Sequence, residues 1–441
     1  MPLASHPLSL LKETANTKMA HATGSTMTAN LPKRPAPSPW APLAEPLFRS
    51  LWIASVVSYT GTWMQNVGAG WLMTQLTTSP LMVSLVQAAA TLPVFLVILP
   101  AGALADMVDR RRFLLITQGW MVLAAGALGV MSLLGSVTPW TLLLLTFILG
   151  LGAVMNDPAW QAITPEVISP ECHAPAVALN SVGYNVARAV GPALGGLVIA
   201  AAGSGFAFLL NAASFFGVIF FLYRWKRPHF DDMEKGSVRG AILVGLKYVR
   251  EAPIVRSVLI RTGAFSLGAS SLLALLPLIA RPHGATGYGL LLGSFGLGAL
   301  AGAAFLPRLR SHLSVDGLVT FAIVLYATMT LAAGMVHSFS FLILVLFTAG
   351  TAWIGILACL NVAAQTMSPS SLRARALSMY LLILQGGMAA GSAAWGAVAS
   401  RVGVPSALLW SALALVIGLL AVRHYRLTSH ELEWAPTVVR D

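Results

Sequence analysis

The sequence predicts an all-α polytopic membrane protein with twelve transmembrane helices in two pseudo-symmetric six-helix bundles. Three observations support this fold class: an apolar composition, long uncharged runs, and an internal repeat. Of the 441 residues, 57% are hydrophobic and only 10% are charged, and the mean hydropathy is +0.78. A soluble protein of this length needs more charged surface than this composition supplies.

Long apolar stretches predict the individual helices, because a helix needs about 20 residues to cross a bilayer. The first six helices are expected at 50–76, 81–106, 113–134, 138–162, 174–201 and 204–225. The second six are expected at 255–280, 287–307, 315–335, 338–364, 374–398 and 404–424. These spans imply two six-helix domains, 48–225 and 255–425.

Three segments fall outside the predicted bundles. Residues 1–47 are rich in Ser, Thr, Pro and Ala without helical periodicity, which indicates a disordered cytoplasmic tail and not a signal peptide. The connector 226–254 contains VRGAILVGLKYVRE, whose apolar residues form one stripe and suit a helix on the membrane surface. A solvated linker is the alternative for this connector. Residues 426–441 form a second cytoplasmic tail.

The distribution of basic residues predicts the orientation of the chain. With the N-terminus in the cytoplasm, 23 of the 27 Lys and Arg residues fall in cytoplasmic segments. The enrichment of basic residues in cytoplasmic loops, together with an even number of spans, places both termini in the cytoplasm. The net charge of +12 therefore reflects membrane topology and not nucleic-acid binding. The two cysteines, Cys172 and Cys359, do not have metal-site spacing, and no metal, cofactor or disulfide is expected.

The two halves of the sequence resemble each other. GALADMVDRRR at 102–112 recurs as GALAGAAFLPRLR at 298–310, and SPECHAPAVALNSV, beginning at Ser169, has a counterpart in SPSSLRARALSMY, beginning at Ser368. Both offsets are close to 200 residues. This indicates two six-helix repeats in parallel orientation.

The motif between the second and third helices resembles one of the major facilitator superfamily, which reads approximately Gly-x-Leu-Ala-Asp-Arg-x-Gly-Arg-Arg. Six residues match it, and Met107 and Asp109 replace the basic residue and the glycine; the matches are Gly102, Leu104, Ala105, Asp106, Arg110 and Arg111. The stretches NDPAWQAITPEVI and AVALNSVGYNVARAVGPALGG resemble the branch that contains the bacterial enterobactin exporter and macrolide-efflux proteins. The resemblance covers essentially all of 48–425.

This resemblance implies a cytoplasmic gate formed by Gly102, Asp106, Arg110, Arg111 and Arg112. Asp106 would lie at the positive N-terminal end of helix eleven, and an arginine of the motif would complete a cluster of charge-assisted hydrogen bonds. The cluster would form when the pore faces outward and break when it opens inward. The alternative is that the charges only anchor a short cytoplasmic turn.

A second motif lies in helix five, where Gly191, Pro192, Gly195 and Gly196 match the end of an antiporter motif. Ala187 stands where that motif usually has glycine. Proline bends a helix and glycines allow close packing, so this helix could control leakage between the two halves. Small-residue packing without a functional bend is the alternative.

Charged residues are scarce inside the predicted spans, and two of them are candidates for function. Arg188 lies roughly 20 Å into helix five and needs a partner, which is either a structural carboxylate or a substrate or coupling group. Asp157 is the nearest carboxylate in sequence and the best candidate for a proton carrier. The alternative for Asp157 is a cap at a helix end beside Pro158.

Uncharged residues supply the remaining candidates for the substrate pathway. Six amides lie in or next to predicted spans, with helix–helix contacts as the alternative role: Gln65, Asn66, Asn185, Asn361, Gln365 and Gln385. Four large side chains are candidates to line an amphipathic cavity, with lipid-facing positions as the alternative: Trp63, Trp71, Phe208 and Met388.

The resemblance implies an inner-membrane secondary transporter that exports a small amphipathic molecule, such as a siderophore or a drug, by alternating access with proton antiport. Its expected partners are the substrate, protons and the lipid bilayer, without nucleic acid, and the chain is expected to be a monomer. The alternatives are a facilitator not coupled to protons, a lipid flippase on the same fold, and a membrane-embedded enzyme. The sequence contains no Walker, His-Glu-x-x-His or Gly-x-Ser-x-Gly motif, which argues against an ATPase or a hydrolase.

Overall fold

The structure is a computed structural model that describes residues 38–107, 109–225, 253–366, 373–425 and 427, with the side chains of 99–107, 158, 159, 162, 165, 253, 254 and 374 left aside. These segments contain twelve long α-helices and no β-strand. The first six are α1 (Pro46–Leu76), α2 (Pro80–Met107), α3 (Arg110–Leu133), α4 (Pro139–Val167), α5 (His173–Ala202) and α6 (Ser204–Arg224). The second six are α7 (Pro253–Ile279), α8 (Gly284–Arg310), α9 (Val315–Met335), α10 (Phe339–Thr366), α11 (Arg373–Val402) and α12 (Val404–Ala421).

Ten stretches of the described chain are long and apolar enough to cross a membrane. One of them, Val255–Arg310, contains both α7 and α8, and α1 is the long helix that lies outside all ten. The prediction of an all-α polytopic membrane protein is therefore confirmed.

The helices begin and end close to the predicted positions, for reasons that the local sequence supplies. Asp109 precedes α3 and its side chain accepts a hydrogen bond from the Arg112 backbone N–H at 2.8 Å, which caps the helix. Gly203 and Gly403 separate α5 from α6 and α11 from α12, and both have a φ of +84°. Only glycine adopts such a conformation readily, so each pair of helices can be joined by a single residue.

Ordered structure begins earlier than the predicted domain boundary at 48, and other predicted boundaries fall outside the described chain. Residues 41–44 form a short 3-10 helix and α1 begins at Pro46, so ordered structure begins within the predicted tail 1–47. Residues 1–37, 226–252 and 428–441 lie outside the described residues. The predicted surface helix of the connector is among them.

The main helix pairings of the first half of the protein recur in the second half. In the first half (α1–α6), α1 packs against α5 and α6, α2 against α4, and α3 against α4 and α6. In the second half (α7–α12), α7 packs against α11 and α12, α8 against α10, and α9 against α10 and α12. The equivalent helices therefore lie six apart in chain order.

The apolar cores of the two halves differ. The second half is dominated by one large cluster of buried side chains, in which the rings of Phe265, Tyr326 and Trp353 contact one another. In the first half, the described core is divided into separate clusters. One surrounds Phe48 and Leu222, and another surrounds Phe208.

The halves meet mainly through two helix pairs, α2 with α11 and α5 with α8. The Leu81 N–H donates to the Ser400 hydroxyl at 3.1 Å, next to the turn at Gly403. Gly196 lies against the backbone of Ala285, next to the turn at Gly284. We call the end of the molecule that carries these turns the closed end, and the opposite end the open end. Nearer the open end of α5, Val182 is 50% exposed although it lies on about the same face of the helix as Gly196. This exposure indicates that the halves diverge there and form a cleft.

Candidate functional site

One stripe of α1 faces the second half. Tyr59, Trp63, Asn66 and Gly70 are spaced three or four residues apart, so they share one face of the helix. Gly70 lies against Tyr288 of α8, which identifies the direction of the whole stripe. Towards the open end, the same stripe presents Asn66, Trp63 and Tyr59 to the cleft.

Aromatic rings of α1 and α5 meet beside this stripe. The ring of Tyr184 lies edge-on to Tyr59 with 5.3 Å between centroids, and 6.5 Å from the ring of Trp63. The guanidinium of Arg188, one turn further along α5, lies 5.9 Å from the centroid of Trp63. A cation over an aromatic face at this distance is stabilised by about 0.5–2 kcal/mol, the larger value applying away from water. Trp63 therefore helps to fix the position of this guanidinium.

Asp157 completes this group from α4. Its side chain is exposed, and its carboxylate interacts electrostatically with Tyr59 and Tyr184. No ion pair joins Asp157 to Arg188 in the described part of the chain. The helix continues past Pro158 to Val167, so the alternative of a cap at a helix end is wrong. We call Tyr59, Trp63, Asp157, Tyr184 and Arg188 the cleft cluster.

The predicted amides occupy different environments. Gln65 is buried and its side-chain oxygen accepts a hydrogen bond from Asn211 of α6, whereas Asn66 is exposed. The other side chains bond within their own helices or are half-buried. Asn185 donates to the Ser181 carbonyl, Gln365 donates to Asn361, and Gln385 is half-buried on α11.

The arginines of the predicted gate bond within the first half. The Arg110 guanidinium forms an ion pair with Glu166 of α4 at 2.9 Å. Arg111 donates to the carbonyl oxygens of Leu222 and Tyr223 at 2.7 Å each and so caps the C-terminal end of α6. These bonds tie three helix ends together at the open end.

The other members of the predicted gate form no described side-chain contact between the two halves. Arg112 is exposed, and its backbone N–H forms the cap of α3 described above. Gly102 and Asp106 belong to α2, but their surroundings lie outside the described residues. The gating role of Asp106 stays a prediction.

The glycines of the helix-five motif lie at two different interfaces. A Cβ on Gly191 or Gly195 would lie 2.7 or 2.8 Å from atoms of α1, whereas a Cβ on Gly196 would lie 2.7 Å from the Ala285 carbonyl of α8. Pro192 lies between them inside an uninterrupted helix. The motif therefore permits close packing within the first half and also between the halves.

Sequence reasoning missed two members of the cleft cluster. Tyr59 precedes Trp63 by four residues, and Tyr184 precedes Arg188 by four, so each tyrosine lies on the same helix face as a residue already singled out. Two other candidates for the cavity lining lie in the apolar cores and not in the cleft. Phe208 and Met388 are buried in the cores of the first and second halves.

Sequence reasoning also missed a buried ion pair outside the cleft. Arg261 of α7 is 5% exposed and forms an ion pair with Asp316 of α9 at 2.6 Å. The Asp316 carboxylate also accepts a hydrogen bond from the backbone N–H of Leu427 at 3.2 Å. This cluster joins the segment after α12 to the second half and lies apart from the cleft cluster. Within the described chain, no group of three His, Cys, Asp or Glu side chains could hold a metal ion.

Comparison with known proteins identifies the family. Residues 37–438 match the family described as transmembrane secretion effector, part of the major facilitator superfamily. The chain belongs to this family. It lies in the superfamily's siderophore- and drug-efflux branch, which confirms the resemblance found in the sequence.

Three curated relatives of this major facilitator chain illustrate the branch. The multidrug efflux pump Tap of Mycolicibacterium fortuitum is 26% identical over 87% of this chain and 97% of its own length. The enterobactin exporter EntS of Salmonella choleraesuis is 25% identical over 58% of this chain, and the match spans 63% of the exporter. The staphyloferrin A transporter of Staphylococcus aureus is 26% identical over 37% of this chain, and the match spans 41% of that transporter.

Solved structures support the fold. The nucleoside transporter NupG has a TM-score of 0.69 at 14% identity, covering 86% of this chain and 98% of its own. A bacterial homologue of the human lysosomal transporter Spinster, in an inward-facing and occupied conformation, has a TM-score of 0.68 at 15% identity. The match covers 90% of this chain and 99% of the homologue. Relatives and structural neighbours are transporters, which confirms assignment to a transporter family and not to a family of membrane-embedded enzymes.

Proposed function

We propose that this chain is an inner-membrane secondary transporter that exports a small amphipathic molecule by alternating access, in exchange for protons. A relative matched over nearly its whole length is named a multidrug efflux pump, and another relative is named an enterobactin exporter. A siderophore or a drug-like cation is therefore the substrate class to test first.

The cleft cluster is the observation that carries this proposal. Three aromatic rings, one guanidinium and one carboxylate lie on the cleft side of the first half. Aromatic faces bind the apolar part of an amphipathic molecule, and the two opposite charges can orient its polar part. The halves are joined at the closed end and diverge at the other, so a molecule can reach the cluster from the open end.

The proposal includes an architecture and a topology. Twelve membrane spans form two six-helix bundles, 48–225 and 255–425, and the protein acts as a monomer with both termini in the cytoplasm. The basic residues support this orientation. The open end carries Arg110, Arg111, Arg112, Arg308 and Arg310, whereas the turns of the closed end carry Arg281 and Arg401. Cytoplasmic loops are the basic ones, so the open end faces the cytoplasm.

We assign different roles to the charged residues. Arg188 binds an anionic group of the substrate, and the ring of Trp63 supports its guanidinium. Asp157 carries the proton, since its carboxylate is exposed to the cleft and has no cationic partner among the described residues. Asp106 and the arginines beside it stabilise the state in which the open end is closed.

The test is transport in proteoliposomes that contain the purified chain, with and without an imposed pH gradient. A panel of siderophores and cationic drugs is loaded, and a pH gradient should accelerate the efflux of at least one compound. An efflux rate that is the same with and without the pH gradient would support a facilitator instead. Movement of labelled phospholipid alone would support a flippase.

The coupling role is tested with Asp157→Asn in the same vesicles. This variant should lose exchange driven by the pH gradient and keep exchange driven by a concentration gradient. Glu171→Gln, which changes an exposed acid in the turn between α4 and α5, is the matched control and should keep both. Retention of pH-driven exchange in Asp157→Asn contradicts the assignment.

A further inference from the structure

A cavity of about 150 Å³ lies inside the first half, apart from the cleft cluster. It is enclosed by α1, α3, α4 and α6, with Ala90 of α2 at its edge. Its polar lining consists of Thr62, Gln65, Asn66, Thr146 and Asn211, and its apolar lining includes Met121, Leu149 and Phe215. We call this cavity the side pocket.

The side pocket opens towards the cleft. Asn66 lines the pocket and is exposed, and it belongs to the stripe of α1 that faces the second half. Gln65, its neighbour in sequence, is 5% exposed and lies deeper. A molecule held at the cleft cluster can therefore extend past Asn66 into the first half.

One polar group among the described residues of the side pocket is buried without a hydrogen-bond partner. Thr146 is 7% exposed and its hydroxyl has no hydrogen bond, whereas most threonines in the described helices, such as Thr348, bond to a carbonyl of their own helix. Gln65, whose side-chain oxygen accepts a hydrogen bond from Asn211, lines the same pocket. Buried polar groups are almost always paired, so the Thr146 hydroxyl points to a guest that supplies the missing hydrogen bond.

The chemistry of the lining restricts what that guest can be. The twelve described residues that form the wall include no titratable side chain, so a charged group entering the pocket would lose water without gaining a counter-charge. The Thr146 hydroxyl can accept or donate a hydrogen bond, and apolar side chains of the lining, such as Met121, Leu149 and Phe215, can contact the rest of the guest. The volume suits a single substituted six-membered ring, or about five water molecules at roughly 30 Å³ each.

The geometry points to the side pocket as a binding subsite for an uncharged, hydrogen-bonding ring of the transported molecule, whose charged part remains at the cleft cluster. This inference rests on the proposed export function and extends it by naming a second recognition element. It predicts that good substrates combine a charged group with a neutral polar ring.

The experiment measures binding without transport. Benzamide, a neutral ring with an amide, is titrated onto the purified full chain in lipid nanodiscs and followed by saturation-transfer NMR. Saturable binding in the millimolar range is expected, because so small a ligand offers few contacts. Benzoate has the same ring but carries a charge, and should bind at least tenfold more weakly.

Two variants locate the binding. Ala153→Leu fills the pocket and should abolish benzamide binding, and Thr146→Val removes only the unpaired hydroxyl and should weaken binding about fivefold. Thr348→Val is the control, because its hydroxyl bonds to the Leu344 carbonyl of the equivalent helix of the second half, and should leave binding unchanged. Thermal unfolding of each variant confirms that it is folded.

The outcomes separate this inference from the proposed function. Absence of saturable benzamide binding, or equal binding by the wild type and both pocket variants, overturns the subsite. If benzamide binds as expected and no compound in the panel is exported, the subsite is supported and the export function is refuted. A pocket that holds only ordered water will show no saturable signal and counts against the proposal.

Discussion

Substituting Gly196 with alanine should disfavour the closed end. A Cβ at this position would lie 2.7 Å from the Ala285 carbonyl oxygen and 3.0 Å from the Gly289 Cα, both of which are backbone atoms of α8. Ordinary van der Waals contact needs about 0.7 Å more, so α5 and α8 must separate locally. Overpacking of this kind costs about 1–3 kcal/mol, and the cost applies only while the two helices touch.

That cost converts into a change in conformational population. A free-energy change of about 1–3 kcal/mol shifts the equilibrium between a closed and an opened end by roughly 5-fold to 150-fold. Alanine also favours the helix over glycine by about 1 kcal/mol, but this gain is present in both conformations and cancels. The net expectation is a larger fraction of molecules opened at this end.

Labelling of a single cysteine measures the population. Ala193→Cys places a thiol beside the α5–α8 contact, in a background in which Cys172 and Cys359 are changed to serine. In purified protein, Gly196→Ala should react with a bulky maleimide at least fivefold faster than the parent.

The control is a second alanine substitution in a buried helix. Gly355→Ala should leave the labelling rate unchanged, because its Cβ would lie 3.8 Å from the Ala322 Cβ, an ordinary contact. Equal labelling rates in Gly196→Ala and Gly355→Ala would refute the reasoning that close glycine packing holds the two halves together.

Three further predictions concern charged groups. Glu166→Gln should lower the stability of the purified protein by about 1–3 kcal/mol in thermal unfolding, because it removes the ion pair with the half-buried guanidinium of Arg110, and Glu171→Gln should not. Arg188→Gln should reduce the efflux of anionic substrates at least tenfold and that of cationic ones less, measured in the same vesicles. Asp316→Asn should destabilise the second half by about 3 kcal/mol, and pairing Arg261→Met with Asp316→Leu should recover most of the lost melting temperature.

The fold followed from the sequence because the bilayer imposes a simple rule on the chain. Apolar stretches between charged or proline-containing turns predicted α9 at 315–335, and the helix is Val315–Met335. The main difference is α4, which continues to Val167 instead of ending at 162. Its last turns are polar enough to look like a loop, but Glu166 is held by Arg110 of α3, a contact that sequence periodicity does not contain.

The cleft cluster was less accessible to sequence reasoning. Scarcity of charge singled out Arg188 and Asp157, because an ionised group inside a membrane protein needs a reason to be there. The sequence could not identify the partners of these two residues, because the rotation of each helix about its axis decides whether Arg188 contacts a carboxylate or the ring of Trp63. In a soluble protein the contrast between an apolar face and a polar face predicts that rotation, but a helix that is apolar on every side offers little contrast.

The repeat shows where the chemistry is concentrated. Helices α4, α5 and α6 begin 200 residues before α10, α11 and α12, so equivalent positions can be read directly. Leu357 stands at the position equivalent to Asp157, and Met388 stands at that equivalent to Arg188. Thr146, with its unpaired hydroxyl, corresponds to the fully buried Leu346.

Two halves with the same helix pairings can rock symmetrically, whereas binding and coupling need polar groups. The first half has these groups, and the second presents apolar side chains at the equivalent positions. Substitutions in the cleft wall of the second half should therefore change substrate fit without uncoupling transport from protons.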